Sequence, residues 1–312
     1  MEPQKITYCT EISLMMFGFG DSHKPNPETV RCVESLVLKQ LRTIVQEAMK
    51  YWDGKVLRAE ELVFLMRKNK WKMRRFVKYL HLKELKTKYE SDLSNSEVPI
   101  KKTERHRLLD FIDRIDETGE LTDLTELDEV KHERQMRADR ISVALEESKY
   151  LEFQKARCVS FNSKETSRAA NYEKLRLWVD PKKEINMTTM ATEVLSYYAY
   201  QTVAEIIDFA LLVRMDARHT NDPLSSLSGA HYTAAMFIGE HRFSGSNPDY
   251  SRVYSGQSPI TVAEIREVLR RFNKPQAGKL TFGGNTPYAR EIASCGSETG
   301  SYESMDLVED RQ

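Results

Sequence analysis

The chain has 312 residues, 40% apolar and 30% charged, enough for a real core with long solvated helices or linkers around it. Lys+Arg and Asp+Glu cancel at 47 each, so no whole-chain field draws it to nucleic acid or to a membrane. No run approaches the ~18 apolar residues of a membrane span, and the four scattered cysteines (Cys9, Cys32, Cys158, Cys295) exclude a disulfide framework and a structural zinc site.

At this length the chain fits two domains of ordinary size or one with long connections. Met1–Lys5 carries no apolar leader, so the expectation is a soluble, intracellular protein of a reducing compartment. A first short helix is predicted with Thr10 as its cap and Ile12, Met15, Met16 and Phe19 on one face. Asn26-Pro27-Glu28 then joins a cap, a proline at the first helical position and an acid facing the positive helix end. Val30, Val33, Val37, Leu41, Ile44, Val45 and Ala48 recur at three and four residues, the period of one helical face. Asp53-Gly54 closes this helix; at 1.5 Å per residue, a helix over 27–52 is about 39 Å long. A short helix over 59–68 follows, then a basic amphipathic one carrying Met73, Phe76, Val77, Leu80 and Leu85.

Residues 89–128 read as a charged linker around one short amphipathic helix (Leu108, Leu109, Ile112, Ile115). Residues 129–155 form a charge-dense helical stretch with a thin apolar stripe (Val130, Met136, Ile141, Val143, Leu145). Aromatics at Tyr150, Phe153 and Phe161 predict that this stretch docks on the core. Charge segregates locally: residues 67–88 carry ten Lys/Arg against Glu84 alone, and residues 110–147 carry thirteen acids against five bases. Such runs are first of all solvated helix faces.

A second series starts with a short helix around 172–179, broken by Asp180-Pro181. Thr188 caps a second long helix to about Met215, with Met190, Val194, Leu195, Tyr198, Val203, Ile206, Ala210 and Val213 as its apolar positions. Residues 217–257 are an insertion rich in Gly, Ser, Asn and Asp. Thr261-Val262-Ala263-Glu264 is a capping box opening a last helix with Ile265, Val268, Leu269 and Phe272. Residues 275–312 read as a flexible polar tail.

The two series repeat. Sliding the chain by 203 residues places Leu57, Glu61, Leu62, Leu65, Met66, Arg67 and Lys68 on Ile260, Glu264, Ile265, Val268, Leu269, Arg270 and Arg271. A short–long–short helical unit cannot bury the stripe of its long helix alone, but two copies can bury each other. The expected pairing core is Val33, Val37, Leu41, Ile44, Leu62 and Leu65 against Val194, Tyr198, Ile206, Ile265 and Val268.

Short helix, long helix, short helix with brief loops resembles the histone fold. Leu14-Met15-Met16-Phe17, Val33-Glu34, Gly54-Lys55-Val56 with 60–68, and 260–271 make the chain similar to the suppressor-of-Ty double-histone-fold subunits of SAGA coactivators. Its halves look like a paired set of TBP-associated factors of TFIID. The resemblance covers roughly residues 8–88 and 129–274. It implies an all-α fold: a histone fold over 8–88 with an extra C-terminal helix, a linker 89–128, a docking helix 129–162, and a second histone fold over 168–274. The two folds would join as an intramolecular handshake. It further implies a nuclear, non-enzymatic scaffold that binds TATA-binding protein and assembles with other SAGA-type subunits, including TBP-associated factors. Related folds often place Arg in the loop before the last helix; Lys55 stands there, predicting a point contact to Glu61 in place of a fork.

The acids of the second long helix, Glu193, Glu205 and Asp208, are expected to be exposed and, together with the acidic linker, to meet the basic surface of TATA-binding protein. The alternative is a histone-like DNA-binding protein using the basic helix 68–88; with Glu84 and the linker acids nearby, DNA contact is expected to be weak or indirect. Tyr197, Tyr198 and Tyr200 read as core or subunit contacts. His231 and His241 sit in the insertion with no ligand set around them, and no nucleophile, phosphate-loop or metal motif is found. Neither an enzyme, a cofactor nor a membrane partner is expected.

Overall fold

A computed structural model describes residues 6–93, 104–162, 166–218 and 258–273. The predicted tail 275–312, nearly all of the insertion 217–257 with His231 and His241, and residues 94–103 of the linker lie outside them. The described residues form helices: α1 (Cys9–Phe19), α2 (Pro27–Ala48), α3 (Ala59–Phe64), α4 (Lys70–Leu93), α5 (Glu104–Ile115), α6 (Glu129–Ala144), α7 (Glu147–Arg157), α8 (Arg168–Val179), α9 (Thr189–Arg218) and α10 (Val262–Asn273).

The start of α1 corrects the sequence reading. Thr10 is not its cap. The Glu34 carboxylate reaches over from α2 and accepts from the Tyr8 N–H at 2.5 Å, the Thr7 hydroxyl at 2.8 Å and the Cys9 thiol at 3.1 Å. An acid placed there answers both the free amide groups and the positive end of the helix. Gly20, at φ +112°, lets the chain reverse at the other end, where its N–H bonds back to Phe17 O at 3.0 Å.

The strong signals hold. Asn26 Oδ1 accepts from the Glu28 N–H at 2.9 Å with Pro27 opening α2, and Thr188 Oγ1 accepts from the Ala191 N–H at 3.1 Å to open α9. Thr261 and Glu264 form the predicted box, Thr261 N–H to Glu264 Oε2 at 2.7 Å and Glu264 N–H to Thr261 Oγ1 at 3.3 Å. The predicted helix 27–52 is shorter as an α-helix: it tightens to a 3-10 turn over Met49–Tyr51, and Gly54 turns the chain at φ +83°. The 129–155 stretch is two helices, broken where Leu145 and Glu146 adopt extended backbone.

The two short–long–short series wrap around each other. The long helices α2 and α9 pack together; α3 and α1 lie on α9, while α10 and α8 lie on α2. Val33, Val37, Leu41, Leu62, Val194, Tyr198, Ile265 and Val268 are buried in one continuous core, with Ile44, Leu65 and Ile206 half-buried against it. Next to the last two, Met66 and Ile207 are the buried side chains. A buried hydrogen bond crosses the pair, Tyr198 OH donating to Leu62 O at 2.8 Å. At one end Tyr8 and Phe161 join Trp178 of α8 in an aromatic cluster with ring centroids 4.9 to 6.0 Å apart.

The connecting region is part of this body. Leu108 and Ile112 of α5 are buried in the main core. The docking of α6 and α7 builds a satellite core of Phe17, Ala138, Ile141, Phe153 and Ala156. Gly18 permits it: a Cβ there would stand 3.1 Å from Ala156 O, so α1 and α7 touch backbone to backbone. No helix of the described residues is long and apolar enough to cross a membrane.

Candidate functional site

The surface chemistry of the fold is set by where the pair is locked and where its charges are already spent. The lock has two unlike ends. At one, Leu57 is joined to the loop before α9 by backbone, its N–H to Asn186 O at 2.8 Å and its O from the Thr188 N–H at 3.0 Å. Ile260, its counterpart 203 residues on, is held by side chains: its N–H donates to Asp21 Oδ1 at 2.8 Å and its O accepts from the Thr29 hydroxyl at 2.8 Å. Burial pushes the Asp21 carboxyl up from its ordinary value, against the pull of the two amide hydrogen bonds it accepts.

The last helices differ in the same way. Glu264 receives a fork from Arg214 of α9, Nε to Oε1 at 2.7 Å and Nη2 to Oε2 at 2.9 Å, and the same guanidinium donates to Ser258 O and Pro259 O. Burial raises the Glu264 carboxyl, but Arg214 and the Thr261 amide outweigh it and hold the group below its usual range. Glu61, the equivalent residue, accepts from the Arg58 N–H at 2.7 Å. The predicted Lys55–Glu61 contact is not what forms; the Lys55 N–H donates to Asp53 and its side chain is exposed.

The three acids of α9 have three different fates. Glu193 corrects the expectation that it is exposed: it is 4% accessible and accepts from Tyr79 OH (3.2 Å), Tyr172 OH (3.2 Å) and Arg105 Nη2 (3.0 Å). Burial first, and then the Glu193 charge, push the Tyr172 hydroxyl up to about 12 and Tyr79 higher still, so both stay donors. Glu205 is half-buried and pairs with Lys72 at 3.0 Å. Asp208, also half-buried, is bound by Arg134 Nε at 2.6 Å and by Arg137, which tie α6 to α9. Amphipathic spacing on a mostly buried helix misplaced these side chains, because α9 is covered on nearly all sides.

The first two turns of the basic helix α4 are neutralised by the segment that precedes α6. Arg74, itself buried, donates to Glu120 O at 2.7 Å and pairs with Glu126 and Asp123. Arg75 forks onto Asp128, with Nη2–Oδ1 at 2.8 Å. Burial would raise the Asp128 carboxyl, yet the hydrogen bond and charge of Arg75 keep it below its usual range. Asp116 folds the strap, accepting from the Leu121 and Thr122 amides at 2.9 Å. Asp123, Glu126 and Asp128 thus face α4, while Leu124 and Leu127 are exposed. Lys68, in the 3-10 turn before α4, and Lys78, Lys86 and Lys88 on α4 are exposed.

This arrangement of helices has relatives. The family described as "Transcription initiation factor IID, 18kD subunit" matches residues 6–95. The "SAGA complex subunit Spt3" of Drosophila melanogaster is 30% identical over 286 residues, covering 88% of this chain and 70% of that protein. The chain belongs to the Spt3 family. The Spt3 of Schizosaccharomyces pombe is 23% identical over 293 residues, 86% of this chain and 90% of that protein. "Transcription initiation factor TFIID subunit 13" of Homo sapiens is 32% identical over 81 residues, 26% of this chain and 65% of that protein. The Spt3-family chain is therefore an all-helical protein of the histone-fold class.

Several residues that matter in this Spt3-family fold gave little sequence signal. Arg214, Arg134 and Arg137 read only as charges on long helices, and Asp21 as part of a polar loop. Glu264 carries a sequence mark, in the capping box and in its place in the repeat. Its partner lies outside the repeat, so spacing could not reveal the fork.

Proposed function

We propose that this chain is a non-enzymatic, nuclear scaffold subunit of a SAGA-type transcriptional coactivator, built as an intramolecular pair of histone folds over roughly 8–88 and 168–274. The observation that carries the reading is the crossed packing: each short helix of one series lies on the long helix of the other, and Tyr198 of the second series donates to Leu62 of the first. Obligate pairs of this type bury about 2,000 Å² or more, and fusion makes the association intramolecular at roughly millimolar effective concentration. The segments 104–128 and 129–162 serve as strap and docking arm. Kinship to chains named as SAGA subunits supports the assembly.

We further propose that the chain binds TATA-binding protein and sits beside TBP-associated factors. Glu205 and Asp208 are retained as candidate contacts on the half-open edge of α9, with Lys72, Arg134 and Arg137 as the cations a basic partner displaces. Glu193 is a structural hub. The test is affinity purification of the full-length chain with mass spectrometry, followed by direct binding of purified TATA-binding protein. Recovery of acetyltransferase-complex subunits with measurable direct binding supports the reading. Recovery of bulk DNA without those subunits refutes it and favours the DNA-binding alternative. Glu205→Gln removes the half-buried charge that Lys72 meets at 3.0 Å and that Arg75 also feels, and should weaken the partner contact severalfold with the chain still folded; unchanged affinity refutes its assignment.

A further inference from the structure

A cation on the outward side of a helix is ordinarily exposed, and Arg74 is not. At about 100° per residue, Met73, Phe76, Val77 and Leu80 share one side of α4 and are buried in the core; Leu85, which spacing placed with them, is exposed. Arg74, Arg75 and Lys78 lie on the opposite side. Lys78 is exposed there, but Arg74 is only 6% accessible, because the strap covers it. Its guanidinium donates to Glu120 O at 2.7 Å, pairs with Glu126 and stands 3.6 Å from Asp123. Glu126 also reaches Lys70 at 3.9 Å, and Asp128 takes the fork of Arg75. The acids of the strap thus sit in a row on the cations of α4.

This cover is lightly held. Its ends are fixed, by Leu108 and Ile112 of α5 in the main core and by Asp128, which caps α6. Between them no side chain of 122–127 is buried, and Asp123 and Glu126 are 38% and 47% exposed. Ion pairs this open are worth little each and are screened by salt, so the stretch opens locally at small cost. The surface beneath is cationic. Residues 67–88 carry ten Lys/Arg against Glu84 alone, and around Lys131 of α6 the charges of Lys78 and Arg75 meet one carboxylate, Asp128. Lys70, Arg74 and Lys78 recur every four residues, about 6 Å along the helix. A guanidinium fork that holds a carboxylate also fits a phosphate, and an evenly spaced row of cations suits the repeating charge of a nucleic-acid backbone.

We propose that the outward face of α4 around Lys70, Arg74, Arg75 and Lys78 is a binding site for a nucleic-acid phosphate backbone, and that the strap occludes it with Asp123, Glu126 and Asp128 in the places of phosphates. With the strap closed, the chain binds duplex only weakly. The proposal stands apart from the coactivator reading, because its assays use the purified chain without other subunits.

Binding of a short fluorescent DNA duplex to the full-length chain tests it. Asp123→Asn/Glu126→Gln takes two carboxylates away from Arg74 and Lys70 and leaves the Asp128 cap in place. Two added phosphate contacts should tighten binding about tenfold at about 50 mM salt and steepen the salt slope by about 1.8, so that the gain is lost by about 200 mM. Adding Arg74→Gln should abolish the gain. Glu146→Gln/Glu184→Gln, at two exposed acids outside the strap, gives the same net charge and should gain nothing. A second measurement needs no variant: saturating duplex should speed cleavage of the wild-type strap, within 116–128, by a glutamate-specific protease. Four results would each overturn the proposal. They are a strap variant that binds no tighter than the charge-matched control, a gain that survives Arg74→Gln, strap cleavage unchanged by duplex, and polyglutamate binding the strap variant as tightly as DNA does, which means an acidic protein segment.

Discussion

Glu264 and Glu61 occupy equivalent places in the 203-residue repeat, and replacing each with glutamine should expose the asymmetry of the pair. Both carboxylates accept an N–H at the start of their helix, 2.7 Å in each case. A glutamine keeps one acceptor oxygen, so Glu61→Gln should cost about 1 kcal/mol or less. Glu264→Gln also removes the counter-charge of Arg214, whose side chain is 10% exposed and donates four hydrogen bonds. Leaving a buried guanidinium unpaired costs roughly 3–5 kcal/mol. Because Glu264 itself is 19% exposed, water recovers part of this, and about 3 kcal/mol is the expected cost. The assay is urea unfolding of each full-length variant, with Arg214→Met and the double variant closing a cycle. The cycle should show about 2 kcal/mol of coupling. The pH dependence has a defined sign. The Glu264 carboxyl is held below its ordinary 4.5 in the folded chain. Its contribution is therefore complete above about pH 4.5 and lost as pH falls through the folded value. Equal losses for the Glu61 and Glu264 variants, or no coupling to Arg214, would refute the argument.

Gly18→Val forces a branched side chain into the backbone contact between α1 and α7, where even a Cβ meets Ala156 O at 3.1 Å. It should cost about 1–3 kcal/mol and raise hydrogen exchange in 147–157 while the α2–α9 core keeps its protection. Asp128→Asn breaks the fork from Arg75 and weakens the start of α6, at about 2 kcal/mol. The Asp128 carboxyl is depressed below its ordinary 3.8, so this difference between wild type and variant should be full at neutral pH and be lost as pH falls through the depressed folded value; proteolysis within 116–128 reads the release. Residues 1–90 alone leave the stripe of α2 without α9 and α10. This fragment should aggregate or show no cooperative transition, and a monomeric cooperative melt would count against an obligate pair.

What could be read from the chain alone was whatever depends on short-range physics. Asn26-Pro27, Thr188 and the Thr261–Glu264 box each placed a helix start, because a cap acts within one turn. The three- and four-residue recurrence of Val33, Val37 and Leu41 identified a buried face, and the repeat announced that two such faces belong together. Tertiary structure decided where the charges go. Glu34 displaced Thr10 as the cap of α1 because packing α2 on α1 brought a carboxylate to its amide end. Glu193 is internal, Asp208 is bound by α6, and the linker acids fold back on Arg74 and Arg75. Arg74 and Glu126, Arg75 and Asp128, Arg134 and Asp208, and Arg105 and Glu193 lie 52, 53, 74 and 88 residues apart in the chain. Electrostatic pairing depends on distance in space, and no periodicity in the sequence encodes it.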